Sequence, residues 1–201
     1  MRDIIIVSGP SGCGKSTLAR MLLQEFPELR FSVSHTTRPP RDGEAEGREY
    51  HFVSEERFQR MVREGRFVEW AEVHGRSYGT SWREVRDKSR AGRPLLLDVD
   101  VQGTRAIKRE FPEAMAVLVV PPTLAALKKR LRQRQRRLDR EARQRLAAAL
   151  KELRSYRLYD YVIVNDDLAS ALADLCCLYV AFGRQTAHNA GRVRALLRRG
   201  R

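Results

Sequence analysis

Short runs of consecutive apolar residues alternate along this chain with longer segments whose apolar residues recur every three or four positions. Asp3–Ser8, with Ile4, Ile5, Ile6 and Val7 in a row, reads as a strand covered on both faces. Lys15–Glu25 carries Leu18, Met21, Leu22 and Leu23 and reads as a helix. Leu95–Val99 is a second buried strand, followed by a helix from about Gln102. Ala116–Val120 is a third, ended by Pro121 and Pro122. Thr123 then caps a helix bearing Leu124, Leu127 and Leu131. Tyr161–Val164 is a fourth strand, and Asp167 caps the last helix. This alternation predicts an α/β fold, a parallel sheet wrapped by helices.

Phe31–Thr80 interrupts the pattern. It holds short β-like pieces (Tyr50–Val53, Phe67–Val73), Pro39, Pro40 and several glycines. Ser54–Glu64 reads as a short helix, with Glu55 and Glu56 near its positive end. The interval reads as a small mixed lobe inserted into the core. The tail after about Thr186 has no apolar face before Val193–Leu197 and is expected to be loose.

A length of 201 residues suits one compact domain with mobile lobes. No apolar run approaches the roughly 18–20 residues that span a bilayer. "MRDIIIVSG" runs straight into a strand without a signal-peptide pattern, so a cytoplasmic location and no membrane partner are expected. Cys13, Cys176 and Cys177 form neither a disulfide framework nor a metal-ligand spacing.

The formal net charge of +14 points to nucleic acid or to a small polyanion such as a nucleotide. Lys128–Arg157 holds thirteen Lys/Arg against three Asp/Glu, and "RVRALLRRGR" closes the chain. Lys128–Arg154 contains no aromatic residue to stack a base, so weak adhesion to RNA is the most this patch suggests. Self-association is left open.

Candidate chemistry begins at "GPSGCGKST": Gly9, Pro10, Ser11, Gly12, Cys13, Gly14, Lys15, Ser16 and Thr17. Gly9, Gly14, Lys15 and Ser16 fit G-x-x-x-x-G-K-[ST] between a strand and a helix, the context this phosphate loop requires. Its backbone N–H groups can surround phosphate oxygens. Lys15 should reach the β- and γ-phosphates, and the Ser16 hydroxyl should hold Mg²⁺. The donor is then ATP or GTP. Hydrolysis, switching and kinase chemistry all start from this loop.

The inserted lobe bears on the acceptor. "SHTTRPPRDGE" sets Arg38 and Arg41 three apart, braced by prolines, a good clamp for a terminal phosphate. Tyr50 and Tyr78 can add hydroxyl donors. Glu69 lies among apolar residues, where it either caps a salt bridge or reads a ligand. Guanine offers N1–H and N2–H₂ side by side to one carboxylate; adenine does not.

"SHTTRPPRDGE", "GREYHFVS" (Gly47–Ser54), "EWAEVHGRSYGT" (Glu69–Thr80), "LLLDVDVQG" (Leu95–Gly103) and "YDYVIVNDDL" (Tyr159–Leu168) together resemble guanylate kinase. The resemblance runs from Ile4 to about Leu178. It implies a P-loop NTPase-type core (1–33, 81–123, 155–185), a GMP-binding lobe (34–80), a helical lid (124–154) and a basic tail (186–201). It implies Mg²⁺-dependent phosphoryl transfer from ATP to GMP, and to dGMP. By this resemblance Ser34, Arg38, Arg41, Tyr50 and Tyr78 contact the GMP phosphate, Glu69 and Thr80 contact guanine, and Asn165 lies on the nucleotide side. Asp98 and Asp100 fall in the family's second acidic segment. At i and i+2 they point the same way. One can support the Mg²⁺ shell and the other can orient the nucleotide, against helix capping as the plainer role.

Arg134 and Arg145 align with the family's lid arginines. The lid departs from the family pattern at Gln135, Arg136, Arg137 and Leu138. Relatives that phosphorylate sugar phosphates would have no use for a guanine reader. Guanylate-kinase-like modules of scaffold proteins usually lack a working phosphate loop, whereas this chain has Lys15 and Ser16.

Overall fold

The computed structural model describes residues 4–73, 75–90, 93–133 and 139–199. Five strands form the core sheet: β1 (Ile4–Ser8), β2 (Arg30–Phe31), β7 (Leu95–Asp98), β8 (Met115–Val120) and β9 (Tyr161–Val164). Their spatial order is β2-β7-β1-β8-β9, and every neighbouring pair is parallel. Asp3 lies outside the described residues.

β1 is buried along its whole length because it sits mid-sheet with a helical layer on each face. Alternation along the strand sorts its side chains. Ile5 and Val7 join Leu18 and Leu22 of α1 (Lys15–Glu25) and Leu175 of α7 (Leu168–Gly183). Ile4 and Ile6 join Leu95, Leu97 and Leu118, together with Ile107 of α4 (Val101–Glu110).

A second, four-stranded sheet carries the inserted lobe: β3 (Ser34–Thr36), β4 (Tyr50–Phe52), β5 (Phe67–Val73) and β6 (Arg76–Ser81). Its order is β4-β3-β6-β5, with β3 parallel to β4 and antiparallel to β6. α2 (Glu55–Arg63) is capped by the Ser54 side chain and covers a small cluster of Phe58, Met61 and Phe67.

α5 (Leu124–Gln133) starts at Thr123, whose Oγ1 accepts from the Ala126 N–H. α6 (Asp139–Leu153) follows, and Leu127 and Leu131 pack against Ala149. Asp167 caps α7 by accepting from the Ser170 N–H.

The structure departs from the sequence expectation in four places. β2, a fifth core strand of only two residues, shows no pattern of its own and forms by pairing with β7. β3 and β6 read "SHT" and "RSYGTS", too polar to show a strand period, and form only because β5 and β4 pair with them. α3 (Trp82–Arg90) was not expected either. α7 is not the last helix: Thr186–Arg199, where no regular element was expected, is helix α8, exposed along most of its length. Its Ala, Leu and Arg content favours helix without a core-facing stripe. His188 and Asn189 bond back to the Phe182 and Gly183 carbonyls at the end of α7.

The carboxyl ends of β1, β7, β8 and β9 all lie on one edge of the parallel sheet, where ligands bind in open α/β sheets. Ile6→Ala, at the centre of this sheet and fully buried, is expected to cost ~2–5 kcal/mol of unfolding free energy. Urea denaturation followed by circular dichroism measures it.

Candidate active site

The phosphate loop leaves β1 and ends in α1. Gly9 and Gly14 have φ of 141° and 96°, conformations that side-chain-bearing residues rarely adopt. Space forbids a side chain there as well. A Cβ on Gly9 would stand 2.1 Å from the Val119 carbonyl oxygen, and one on Gly14 would stand 2.2 Å from Asn165 Nδ2.

The loop is held from beneath. Asn165, expected on the nucleotide side, is 4% exposed and donates its amide Nδ2–H to the Cys13 carbonyl at 2.7 Å. Arg130 of α5 donates to the Asn165 carbonyl at 3.0 Å. The structure therefore makes Asn165 a brace for the loop backbone. Cys13 packs in the main core, and burial pushes its thiol pKa up.

Lys15 turns back along the loop and donates to the Gly9 carbonyl at 2.6 Å. Burial pulls the Lys15 pKa down, but neighbouring acidic groups, Asp98 foremost, leave it raised overall, so the ammonium stays charged. Ser16, at the start of α1, donates its hydroxyl to Asp98 Oδ2 at 2.9 Å. Val7 and Asp98 are register partners on adjacent strands, which sets the carboxylate beside the loop.

The two acidic residues are divided by the fold. Asp100 caps α4, its Oδ1 accepting from the Gly103 N–H at 2.8 Å. Helix capping, the plainer alternative, is thus realised at Asp100, while Asp98 faces Ser16.

Register assembles the lobe's part of the site. Ser34 pairs with Tyr50, Thr36 with Tyr78, and Glu69 with Thr80. Side chains alternate along a strand, so Ser34, Tyr50, Glu69, Tyr78 and Thr80 share one face of the lobe sheet. His35 and His51 stack on the opposite face with ring centroids 4.7 Å apart.

Glu69 is 8% exposed. Its Oε1 accepts from the Thr80 N–H at 2.9 Å, and Thr80 Oγ1 lies 3.3 Å from Ser34 Oγ. Burial pushes the Glu69 pKa up to about 7, with nearby Asp100 adding to the rise. Gly103 lets α4 approach: a Cβ there would sit 2.9 Å from Glu69 Oε2. Gly103 lies inside "LLLDVDVQG", but its role is visible only once β5 packs on α4.

Arg38 follows β3. Its guanidinium lies 5.3 Å from the Tyr50 ring centroid. Burial pushes the Tyr50 pKa up to about 12, so its hydroxyl keeps its proton at neutral pH. Arg41 is exposed. Arg134 lies outside the described residues, as do Gln135, Arg136, Arg137, Leu138 and the Arg145 side chain. Glu152 of α6 was missed in the sequence; burial pushes its pKa up to about 7, opposed by Lys15.

A glycine-rich loop closed by Lys15 and Ser16, with a carboxylate at the next strand end and a second sheet beside the core, places the chain among P-loop nucleotide-binding proteins. Comparison with known proteins narrows the class. The guanylate kinase family model matches residues 1–179. The chain is 44% identical to a guanylate kinase of Symbiobacterium thermophilum over 98% of this chain and 94% of that one. It is 47% identical to one of Myxococcus xanthus over 89% and 86%. The crystal structure of guanylate kinase from Anaplasma phagocytophilum superposes with a TM-score of 0.77 at 31% identity, covering 93% of this chain and 89% of that one. The chain belongs to the guanylate kinase family and is a nucleoside monophosphate kinase. Among the described residues no helix is long and apolar enough to cross a membrane.

A raised carboxyl pKa means that the folded state binds more protons than the unfolded state between about pH 4.5 and 7. Glu69 therefore subtracts stability as pH rises through that window, and the penalty is complete above pH 7. Relative to wild type, Glu69→Gln is expected to gain melting temperature from pH 5 to pH 8, read by calorimetry at matched ionic strength.

Proposed function

We propose that the chain transfers the γ-phosphoryl of ATP to the phosphate of GMP or dGMP, in the cytoplasm, through the residues described above. The observation that carries this reading is Glu69. It is a buried carboxylate with one oxygen held by the Thr80 N–H and the other facing Gly103, an acceptor pair matched to guanine N1–H and N2–H₂. A site built on such hydrogen bonds rejects an unmatched base by as much as about 10⁴–10⁵.

In this reading Arg38, Arg41, Tyr50 and Tyr78 hold the acceptor phosphate, and Ser34 and Thr80 border the base. Lys15 and the loop N–H groups hold the donor phosphates, with Asn165 keeping the loop in shape. Arg134 and Arg145 are assigned to the lid and to charge on the transferring group. Core, lobe 34–80, lid 124–154 and tail 186–201 are the working parts. Two separate sheets support treating core and lobe as distinct bodies.

Mg²⁺ fits the residues present. The Ser16 hydroxyl and the Asp98 carboxylate are adjacent hard oxygen donors. Among the described residues no cluster of three His, Cys, Asp or Glu forms a protein cage. That suits an ion bound through one or two protein oxygens and substrate phosphates. We assign the metal side to Ser16 and Asp98, and Asp100 to shaping α4 beside the base. When bound, the ion neutralises charge on the phosphates.

The GMP phosphate is itself the nucleophile, so no side chain need remove a proton. The lobe aligns its oxygen in line with the donor phosphorus, and Lys15 balances charge as the bond to ADP breaks. Closure of lobe and lid excludes water that would otherwise hydrolyse ATP.

ADP release with ATP–Mg²⁺ is expected for GMP and dGMP and to be absent for AMP, UMP, CMP and ribose bisphosphate. Lys15→Ala is expected to cut turnover by about 100-fold or more, and Glu69→Ala to abolish the preference for guanine. Activity with AMP equal to that with GMP would overturn the reading. Guanine needs Glu69 as a carboxylate, so guanosine, which lacks a titrating phosphate, should bind about tenfold more weakly per pH unit well below 7. Calorimetric titration from pH 5.5 to 8 reads this.

A further inference from the structure

Glu44 closes the loop that carries both phosphate-reading arginines. Its Oε1 accepts from Arg38 Nη2 at 2.9 Å, and its Oε2 accepts from Arg38 Nη1 at 2.9 Å and from the Arg41 backbone N–H at 2.8 Å. One carboxylate thus ties the side chain of one arginine to the backbone of the other, across a turn stiffened by Pro39 and Pro40.

The pair is not an ordinary surface bridge. The Arg38 and Glu44 side chains are 12% and 18% exposed. Exposed pairs contribute little because water competes and both chains must be immobilised. Here the fork is bidentate and shielded, and the guanidinium is further fixed by the Pro39 carbonyl at 2.7 Å and the rings of Tyr50 and Phe52. The Arg38 hydrogen bond holds the Glu44 carboxyl below its usual range, so the clasp stays charged at neutral pH.

Arginine has five N–H donors. Glu44 takes two and Pro39 a third, so Nε–H and one Nη2–H are committed to neither. A carboxylate beside a phosphate site repels the ligand. Its presence there makes sense only if orienting the two cations outweighs that repulsion.

We propose that Glu44 is the positioning residue of the acceptor-phosphate site: it sets the direction of the Arg38 fork and its spacing from Arg41, and so contributes to binding the phosphate of GMP without touching the base. The inference rests on the assignment of Arg38 and Arg41 to that phosphate.

The test compares GMP with guanosine, which lacks the phosphate, by calorimetry on wild type, Arg38→Ala, Glu44→Ala, Glu44→Gln and the Arg38→Ala/Glu44→Ala double variant. Glu44→Ala should weaken GMP binding about 10–100-fold and leave guanosine and ATP binding unchanged. Glu44→Gln, which keeps an acceptor for the Arg41 N–H, should fall between. In the Arg38→Ala background Glu44→Ala should add little. Unchanged or tighter GMP binding by Glu44→Ala, with Arg38→Ala impaired, would overturn the proposal by making Glu44 idle or a competitor. Equal losses of GMP and guanosine would overturn it in favour of a general role in folding the lobe. Arg38→Ala binding GMP as wild type does would show that the phosphate-site assignment had failed, and the proposal with it.

Discussion

Phosphate oxygens can be surrounded by backbone N–H groups only where no side chain stands in the way, and in this protein that constraint is met at the end of β1. Gly9 and Gly14 adopt left-handed conformations with the Val119 carbonyl and the Asn165 amide pressed against the space where a Cβ would be. The close approach needs β8 and the residue following β9 to be in place. The loop therefore exists because the sheet does: β1 is central, flanked by β7 and β8, and buried on both faces. Asn165 bonds the Cys13 carbonyl, and Arg130 of α5 bonds the Asn165 carbonyl, so one chain of contacts links the loop, the sheet edge and the first helix after β8.

Charge is arranged around that loop in two opposite ways. Lys15 is kept protonated against burial by neighbouring acidic groups, Asp98 foremost. Glu69 is buried beside a helix and a second carboxylate, and burial raises its pKa too, which in a carboxyl favours the neutral form. The Lys15 ammonium is thus kept charged, while the Glu69 carboxylate is penalised by its burial. A buried carboxylate is costly unless hydrogen bonds satisfy it, and the Thr80 N–H offsets only part of that cost.

The lobe sheet works by register. Pairing of β3 with β4 and β6, and of β6 with β5, brings side chains from four short strands onto one face. A register shift between Phe67 and Glu69 in β5 lets Phe67 pack under α2 while Glu69 turns towards α4. The Glu44 clasp belongs to the same logic, since it ties a turn at the end of β3 into a fixed geometry beside Tyr50 and Tyr78.

Much was legible from local pattern. Continuous apolar runs identified four of the five parallel core strands, because a strand buried on both faces leaves no room for polar residues; β2, only Arg30 and Phe31, carries no such run. Lys15–Glu25 was legible to the residue, because Gly14 and Glu25 bound a clear helical period. The loop and the arginine turn were legible because their chemistry lies in contiguous residues. β3, β6 and α8 were not, since pairing or a preceding helix end stabilises them rather than their own periodicity. The different roles of Asp98 and Asp100, the brace at Asn165, the approach allowed by Gly103 and the clasp of Glu44 depend on which atoms meet across distant segments. The sequence by itself determined that the chain holds a phosphate loop, a parallel sheet and an arginine-bearing proline turn, because each is a short-range pattern. Only the tertiary structure decided which carboxylate faces Ser16, which caps a helix and which is buried beside α4, because burial and partner, not residue type, set what a carboxylate does.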